Sequence, residues 1–245
     1  MVFMLDPGLD SQPLIEQRPA ILWRGRHVAV EHRLRFVNLG QRWQVHELSI
    51  SKSAQETNQT FAGRIRARFW HMDFLIRRGQ FDDAGGIARV HVESWRSTYA
   101  GIVPDAFLRS LSTQTRTEAW QQQFVAGNCV IFVAECDGQI VGFVAGGRSR
   151  QTFADFDAEL YAIYLLRENQ GCGIGRALVN ALVEVLRDQG FAAMLVLVLE
   201  KNPAVSFYTR LGAAEIARQS IEIGGSAVDE LIYAWPNLDM LVKTK

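Results

Sequence analysis

Short apolar runs and longer amphipathic stretches alternate along the chain from residue 74 onward. Seven apolar runs predict strands, at 74–77, 130–136, 140–146, 159–165, 193–199, 215–223 and 228–235. Apolar positions at helical spacing predict helices at 82–99, after Pro104, from Gly173 onward and at 203–211. This order of elements is typical of a mixed α/β domain.

Two pairs of strands are separated by turns that favour hairpins. Asp137-Gly138-Gln139 lies between the second and third runs, and Gly224-Gly225-Ser226 lies between the last two. Such turns between apolar runs predict antiparallel pairing. The run at 193–199 is apolar at every position, which indicates a strand covered on both faces.

Residues 1–71 have a different character. They hold ten Lys and Arg against six Asp and Glu, with four of the five His, and show no sustained hydrophobic period. Four interpretations are open: an accessory module, a basic arm that touches nucleic acid, a flexible tail, and sequence upstream of the true start. We favour the last two, because Met72 directly precedes the first predicted strand.

Composition argues against several classes of protein. The chain has 26 basic and 26 acidic residues, so no net field favours nucleic acid or an anionic membrane surface. The chain has an odd number of cysteines, Cys129, Cys136 and Cys172, and their spacing is not that of metal ligands. We therefore expect reduced thiols, a cytoplasmic protein and no metal site. No stretch reaches the roughly 18 apolar residues of a membrane helix, so we expect no membrane association.

The glycine-rich stretch at 165–176 is the most specific feature. Gly171, Gly173 and Gly175 lie between a predicted strand and a predicted amphipathic helix. Glycines at a helix start let unpaired main-chain N–H groups approach an anion closely, and a pyrophosphate fits such a turn. The Gly-Lys-Ser/Thr of a triphosphate loop is absent, and so is a Gly-x-Gly-x-x-Gly after the first strand, as in a dinucleotide-binding fold.

The spacing Gln170-x-x-Gly173-x-Gly175 after a fourth strand resembles the acetyl-CoA motif of the GNAT superfamily of N-acetyltransferases. The likeness extends over residues 74–238. It includes Glu-Leu-Tyr-Ala-Ile-Tyr at 159–164, Asn202, and Phe-Tyr-x-x-Leu-Gly at 207–212. Arg167 stands where many members have proline, and Cys172 fills a variable slot, but neither departure removes a main-chain donor.

The resemblance implies an acetyltransferase domain at 72–240 of the α/β (α+β) class. Its sheet would be mixed, mostly antiparallel and twisted, with six to seven strands flanked by about four helices. Acetyl-CoA would bind as co-substrate, without a metal. The implied binding residues are Ile163, Tyr164, Leu165, Gln170, Gly171, Cys172, Gly173, Ile174, Gly175, Arg176 and Asn202. Arg176 is either a phosphate contact or a surface arginine, and Asn202 caps the next helix, reaches the pantetheine arm, or does both.

The resemblance also implies two catalytic residues. An amine attacks a thioester only in its neutral form, and deprotonating a lysine-like amine at pH 7 costs about 4.6 kcal/mol. Glu159 is the implied base, acting through water, and Tyr208 is the implied acid that protonates the leaving thiolate. The alternatives are a solvated carboxylate at the edge of the strand and a tyrosine packed in the core with its hydroxyl satisfied.

The amine acceptor is expected against the first two helices and the loop at 146–157. Aromatic and acidic residues in these segments would suit a cationic amine: Trp95, Tyr99, Phe153, Phe156, Asp155, Asp157 and Glu159. The alternative is that the aromatic residues belong to the core. The predicted function is N-acetyl transfer to a primary amine of a small molecule or protein, through a ternary complex. The alternatives are a non-catalytic acyl-CoA sensor and a nucleic-acid-associated enzyme whose basic arm is 18–68. The acceptor's identity, the acyl chain and homodimer formation stay open.

Overall fold

The computed structural model describes residues 74–151, 153 and 155–241, and the predicted N-terminal extension lies outside them. The strands are β1 (Leu75–Arg78), β2 (Val130–Cys136), β3 (Gln139–Arg148), β4 (Ala158–Leu165), β5 (Met194–Leu199), β6 (Ala214–Ile223) and β7 (Ser226–Trp235). The helices are α1 (Ala84–Thr98), α2 (Asp105–Ser110), α3 (Thr113–Ala126), α4 (Ile174–Asp188) and α5 (Val205–Arg210). None of the helices in these ranges is long and apolar enough to cross a membrane.

One seven-stranded sheet organises the domain. Its strand order is β1-β2-β3-β4-β5-β7-β6, and β4 and β5 pair in parallel while every other neighbouring pair is antiparallel. The prediction of a mixed, mostly antiparallel sheet is therefore confirmed. Parallel neighbours need a crossover, and α4 supplies it.

The two faces of the sheet carry different helices. Phe143 of β3 packs against aromatic residues of α1 and α3. Gly146, three residues along the same strand, faces α4, and a Cβ there would lie 2.8 Å from Leu182. Since side chains alternate along a strand, α1 and α3 cover one face and α4 covers the other.

Helix α3 is absent from the elements that the sequence predicts. Its sequence is largely polar, and Trp120 is the residue it buries, so it lacks the apolar period that marks the other helices. Its ends do carry local signals. The Ser112 hydroxyl accepts from the Thr115 amide at 3.3 Å, and Gly127 ends the helix in the left-handed region with φ 63°.

The β6–β7 hairpin approaches α2. Gly224 and Gly225 have φ of 57° and 81°, as a two-residue type I′ turn requires, so the predicted hairpin is present. A Cβ on Gly224 would lie 2.7 Å from the Cβ of Phe107 in α2. The hairpin and α2 therefore meet over one end of the sheet.

Strands β4 and β5 separate part way along their length. Their register runs from Ala158 opposite Met194 to Leu160 opposite Val196 and then stops. Yet β4 continues to Leu165 and β5 to Leu199. The gap between these two strand ends leaves main-chain groups of β4 without a β5 partner, and it positions the site described next.

Candidate active site

A cavity of about 410 Å³ opens where β4 and β5 diverge. Eight of the eleven residues predicted to bind the cofactor line it: Ile163, Leu165, Gln170, Gly171, Gly173, Gly175, Arg176 and Asn202. Tyr208, the predicted acid, lines it as well. The structure thus brings the glycine-rich turn, the end of β4 and the start of α5 to one place.

The glycine-rich turn depends on backbone conformations that favour glycine. Gly171 and Gly173 have φ of 78° and 91°, in the left-handed region, and Gly173 directly precedes α4. The N–H groups of the first turn of α4 have no partner within the helix, by helix geometry. Gly175 serves a different purpose, because a Cβ there would lie 3.3 Å from the ring of Phe207 in α5.

Two arginines line the cavity. Arg176 lies in the first turn of α4, and Arg210 is the last residue of α5. Arg210 was missed by the sequence interpretation, although its position three residues after Phe207 places both on one side of a helix. The first turn of α4 holds no acidic residue. The cavity wall thus includes two positive side chains and the first turn of α4, which suits a phosphate.

Three predicted binding residues lie outside the cavity wall. Tyr164 points to the α1 side, where its hydroxyl accepts from Trp95 Nε1 at 2.8 Å. Cys172 is exposed, and its Sγ donates to the main-chain oxygen of Asn169 at 2.9 Å. Ile174, the first residue of α4, is fully buried. The side chains of these three residues are therefore engaged elsewhere and do not form the cavity wall.

Tyr208 and Asn202 form one buried polar group with Tyr99. Burial, reinforced by the nearby Tyr164, raises the pKa of Tyr208 well above its ordinary value. Asn202 Nδ2 donates to the Tyr99 hydroxyl at 3.1 Å, and its Oδ1 accepts from the Ala204 amide at 2.9 Å. Asn202 therefore supports the start of α5 and orients Tyr99 while facing the cavity.

Glu159, the predicted base, is fully buried and held by Arg150. Its Oε2 accepts from the Arg150 amide at 2.9 Å, and its Oε1 accepts from Arg150 Nε at 3.1 Å and from Nη2. The Arg150 guanidinium also lies over the ring of Tyr161, 4.1 Å from its centroid. Both carboxylate oxygens of Glu159 are thus engaged.

A second buried carboxylate, Glu230 in β7, was missed by the sequence interpretation. It is 1% exposed, and its Oε2 accepts from Gln219 Nε2 at 2.8 Å. Its Oε1 has no hydrogen-bond partner among the residues that the structure describes. The missed signal was a glutamate at the start of the strand segment Glu230 to Trp235, whose other residues are apolar or aromatic.

The aromatic surface predicted for the acceptor divides into two parts. Trp95 and Tyr99 are core residues whose rings lie 4.8 Å apart, whereas Phe153 and Phe156 pack over part of the sheet. The sheet residues that they cover are Leu195, Leu197, Ile232 and Ala234. The Asp157 carboxylate accepts from the amides of Ala192 and Ala193, and Asp155 is exposed.

The described residues contain no group of three or more His, Cys, Asp or Glu arranged to hold a metal ion. Burial raises the pKa of Cys129 to about 11, and the pKa of Cys136 also lies above its ordinary value for the same reason. Neither thiol is therefore activated as a nucleophile.

Comparison with known proteins identifies the class to which this fold and site belong. Residues 90–213 match the family described as the acetyltransferase (GNAT) family. The chain belongs to this family and is an acyltransferase.

Curated relatives carry the same activity in their names. The N-acetyltransferase YuaI of Bacillus subtilis (strain 168), itself uncharacterised, is 38% identical over 167 residues, covering 68% of this chain and 95% of YuaI. The alanine N-acetyltransferase of ribosomal protein bS18 from Haemophilus influenzae is 34% identical over 80 residues, which cover 33% of this chain and 51% of that enzyme.

Solved structures share the fold. The PaiA N-acetyltransferase of Thermoplasma acidophilum, in complex with coenzyme A, has a TM-score of 0.56 and 23% identity, covering 66% of this chain and 98% of that one. The yncA protein of Salmonella typhimurium, with acetyl-CoA, has a TM-score of 0.53 and 22% identity, covering 68% of this chain and 94% of that one.

Proposed function

We propose that this protein transfers the acetyl group of acetyl-CoA to a primary amine by direct attack within a ternary complex. The observation that carries the proposal is the meeting, in one cavity, of a left-handed glycine turn, an unpaired strand edge and the buried Tyr208. Neighbours of the same fold are solved with coenzyme A and with acetyl-CoA, which supports the choice of donor.

Acetyl-CoA would bind in this cavity through two of its segments. The diphosphate would accept from main-chain amides around Gly171 to Arg176, with Arg176 and Arg210 adding charge. Each amide bond to a charged oxygen contributes about 1.5–3 kcal/mol, more than the helix dipole at about 0.3–1 kcal/mol. The pantetheine arm would hydrogen-bond the main chain of residues 163–165, where β4 has no β5 partner.

Tyr208 would act as the general acid. When the amine nitrogen bonds to the acetyl carbon and the carbon–sulfur bond breaks, the thiolate takes the Tyr208 proton. Its raised pKa keeps Tyr208 protonated at every ordinary assay pH. The same buried surroundings disfavour a free thiolate, so burial does not by itself oppose the transfer.

A carboxylate on the α1 side of the sheet would remove the proton of the amine. Glu159 is the residue that the sequence predicts for this step, and in the structure its charge is shared with Arg150. The acceptor class, a small-molecule or protein amine, is part of the proposal. A protein acceptor has a precedent in the ribosomal-protein alanine N-acetyltransferase.

The test is release of free thiol from acetyl-CoA with a panel of amines. We expect release that depends on the amine, and we expect Tyr208→Phe to lower kcat by about 100-fold. Coenzyme A binding, measured by calorimetry, should stay as in the wild type. Tyr233→Phe is the matched control, because Tyr233 lies in β7 away from the cavity wall.

Two outcomes would contradict the proposal. Absence of any heat of binding with coenzyme A or acetyl-CoA would remove the donor site. Tight binding without thiol release for any amine would favour a sensor or scaffold that holds acyl-CoA without turning it over.

A further inference from the structure

Glu230 continues an apolar row on the α1 side of the sheet. It pairs with Leu199 of β5, just as Ile232 pairs with Leu197 and Ala234 with Leu195. Paired residues of neighbouring strands point to the same face. Glu159 of β4 pairs with Leu195, so both carboxylates lie on this face.

The carboxylate of Glu230 is not explained by packing alone. A buried acceptor without a hydrogen bond destabilises the folded state, and a charged one does so more strongly. Gln219 satisfies Oε2, but Oε1 has no donor among the described residues. A group that brings an N–H donor to Oε1 would remove this cost, and an ammonium brings three.

Two charged groups and two neutral polar groups, from four segments of the chain, lie near Glu230. Glu159 of β4 repels its negative charge, Arg150 of the β3–β4 loop attracts it, and the Tyr99 hydroxyl interacts with it from the end of α1. Gln219 of β6 donates a neutral hydrogen bond. Burial raises the pKa of Glu230 above that of an ordinary glutamate, with Glu159 adding to the effect and Gln219 and Arg150 opposing it.

Glu230 also lies at the level of the gap between β4 and β5. Its partner Leu199 ends β5, beyond the last paired residue Val196. Asn202, which lines the cavity, follows three residues later and binds the Tyr99 hydroxyl. The glycine turn at the start of α4 and the carboxylate of Glu230 therefore approach this gap from opposite faces of the sheet.

We propose that Glu230 binds the acceptor amine as its ammonium and accepts its proton, while Glu159 positions Arg150 beside it. This inference rests on the proposed N-acetyl transfer. The ammonium gives one proton to the Glu230 carboxylate, and the neutral nitrogen bonds to the acetyl carbon as the carbon–sulfur bond breaks. Tyr208 protonates the thiolate and regains a proton from the acylated nitrogen, and the proton on Glu230 passes to solvent. The acceptor class is an alkyl amine that is charged at neutral pH.

The test compares the pH dependence of alkyl amine acetylation in the wild type and Glu230→Gln. At pH 7 we expect the variant to be about 100-fold slower. The variant lacks the base and therefore reacts only with amine that is already neutral. The concentration of neutral amine rises about tenfold per pH unit below the amine pKa of about 10.4. The ratio of wild-type to variant rates should therefore fall steeply between about pH 7 and about pH 9. A merely structural role would leave this ratio constant.

Control variants separate this inference from the proposed function. Glu222→Gln makes the same chemical change at an exposed position of β6 and should match the wild type at every pH. Glu230→Asp keeps a proton acceptor, so its rate ratio should not change with pH. Coenzyme A calorimetry shows whether each variant is folded.

Three results would overturn the assignment. A rate ratio for Glu230→Gln that is near one, or that is constant with pH, would exclude Glu230 as the base. A pH-dependent loss in Glu159→Gln would give the role to Glu159, and this comparison decides the question even if Glu230→Gln fails to fold. A wild type that acetylates no amine would instead remove the proposed function itself.

Discussion

His91 lies in the aromatic core between α1 and the sheet. Its ring stacks on Tyr164 with centroids 4.6 Å apart, and Trp120 and Phe143 lie 6.0 Å away. Neither imidazole nitrogen has a hydrogen-bond partner among the residues that the structure describes. Burial, with a smaller contribution from Arg116, lowers the pKa of His91 well below its ordinary value.

This environment makes stability depend on pH. The folded chain keeps His91 neutral, whereas the unfolded chain takes up a proton below about pH 6.5. Because the unfolded state then binds more protons, stability falls as pH falls from about 6.5 toward the folded pKa. We expect His91→Phe and His91→Gln to lose less stability than the wild type between about pH 7.5 and about pH 5. Urea unfolding at the two pH values measures the free energy of unfolding. If this energy fell as much in both variants as in the wild type, the prediction would be contradicted.

At the scale of elements, the turn before α4 couples backbone conformation to binding. We expect Gly173→Ala to cost about 1–2 kcal/mol of stability, since φ of 91° disfavours a Cβ. The same strain should misplace the amides of the turn and weaken coenzyme A binding by about tenfold or more. Thermal unfolding and calorimetry measure the two effects.

Gly190, which follows α4 at its other end, provides the matched control. Its φ is 88°, open space surrounds its Cβ position as at Gly173, and it does not line the cavity. Gly190→Ala should therefore lose similar stability but keep its affinity for coenzyme A. If Gly173→Ala and Gly190→Ala lost the same affinity for coenzyme A, the backbone conformation of the glycine turn would have no specific role in binding.

Elements with strong periodicity were predictable, and elements without it were not. Helix α4 buries Leu178, Leu182 and Leu186 on one side, and it begins at Ile174, one residue after the predicted start at Gly173. Helix α3 was missed because its stability comes from Trp120 and from its caps rather than from an apolar stripe. Its packing partners, such as Phe143, are distant in sequence, so only the assembled sheet shows why it forms.

At the scale of the whole molecule, the described residues form a core cluster and a cavity wall among themselves. The main core cluster extends from Ala84 to Leu241, and the cavity wall from Thr98 to Leu211. We therefore expect a chain that begins at Met72 to bind coenzyme A with an affinity within about threefold of the full chain. Calorimetry on the two chains checks this. Much weaker coenzyme A binding by the shortened chain would show that residues before Met72 contribute to the fold or the site.

Local pattern was enough to predict the order of the strands and of the helices other than α3, the two hairpins and the glycine turn, because alternation, helical period and turn residues act over a few positions. Most of the predicted cavity-wall residues came instead from the resemblance to the GNAT superfamily. The contacts of the two buried carboxylates became visible only in the folded domain. Arg150 binds both carboxylate oxygens of Glu159, whereas Glu230 Oε1, at the level of the β4–β5 gap, has no hydrogen-bond partner within the described part of the chain. Charges interact through space, so strands far apart in sequence must be paired before their contacts exist.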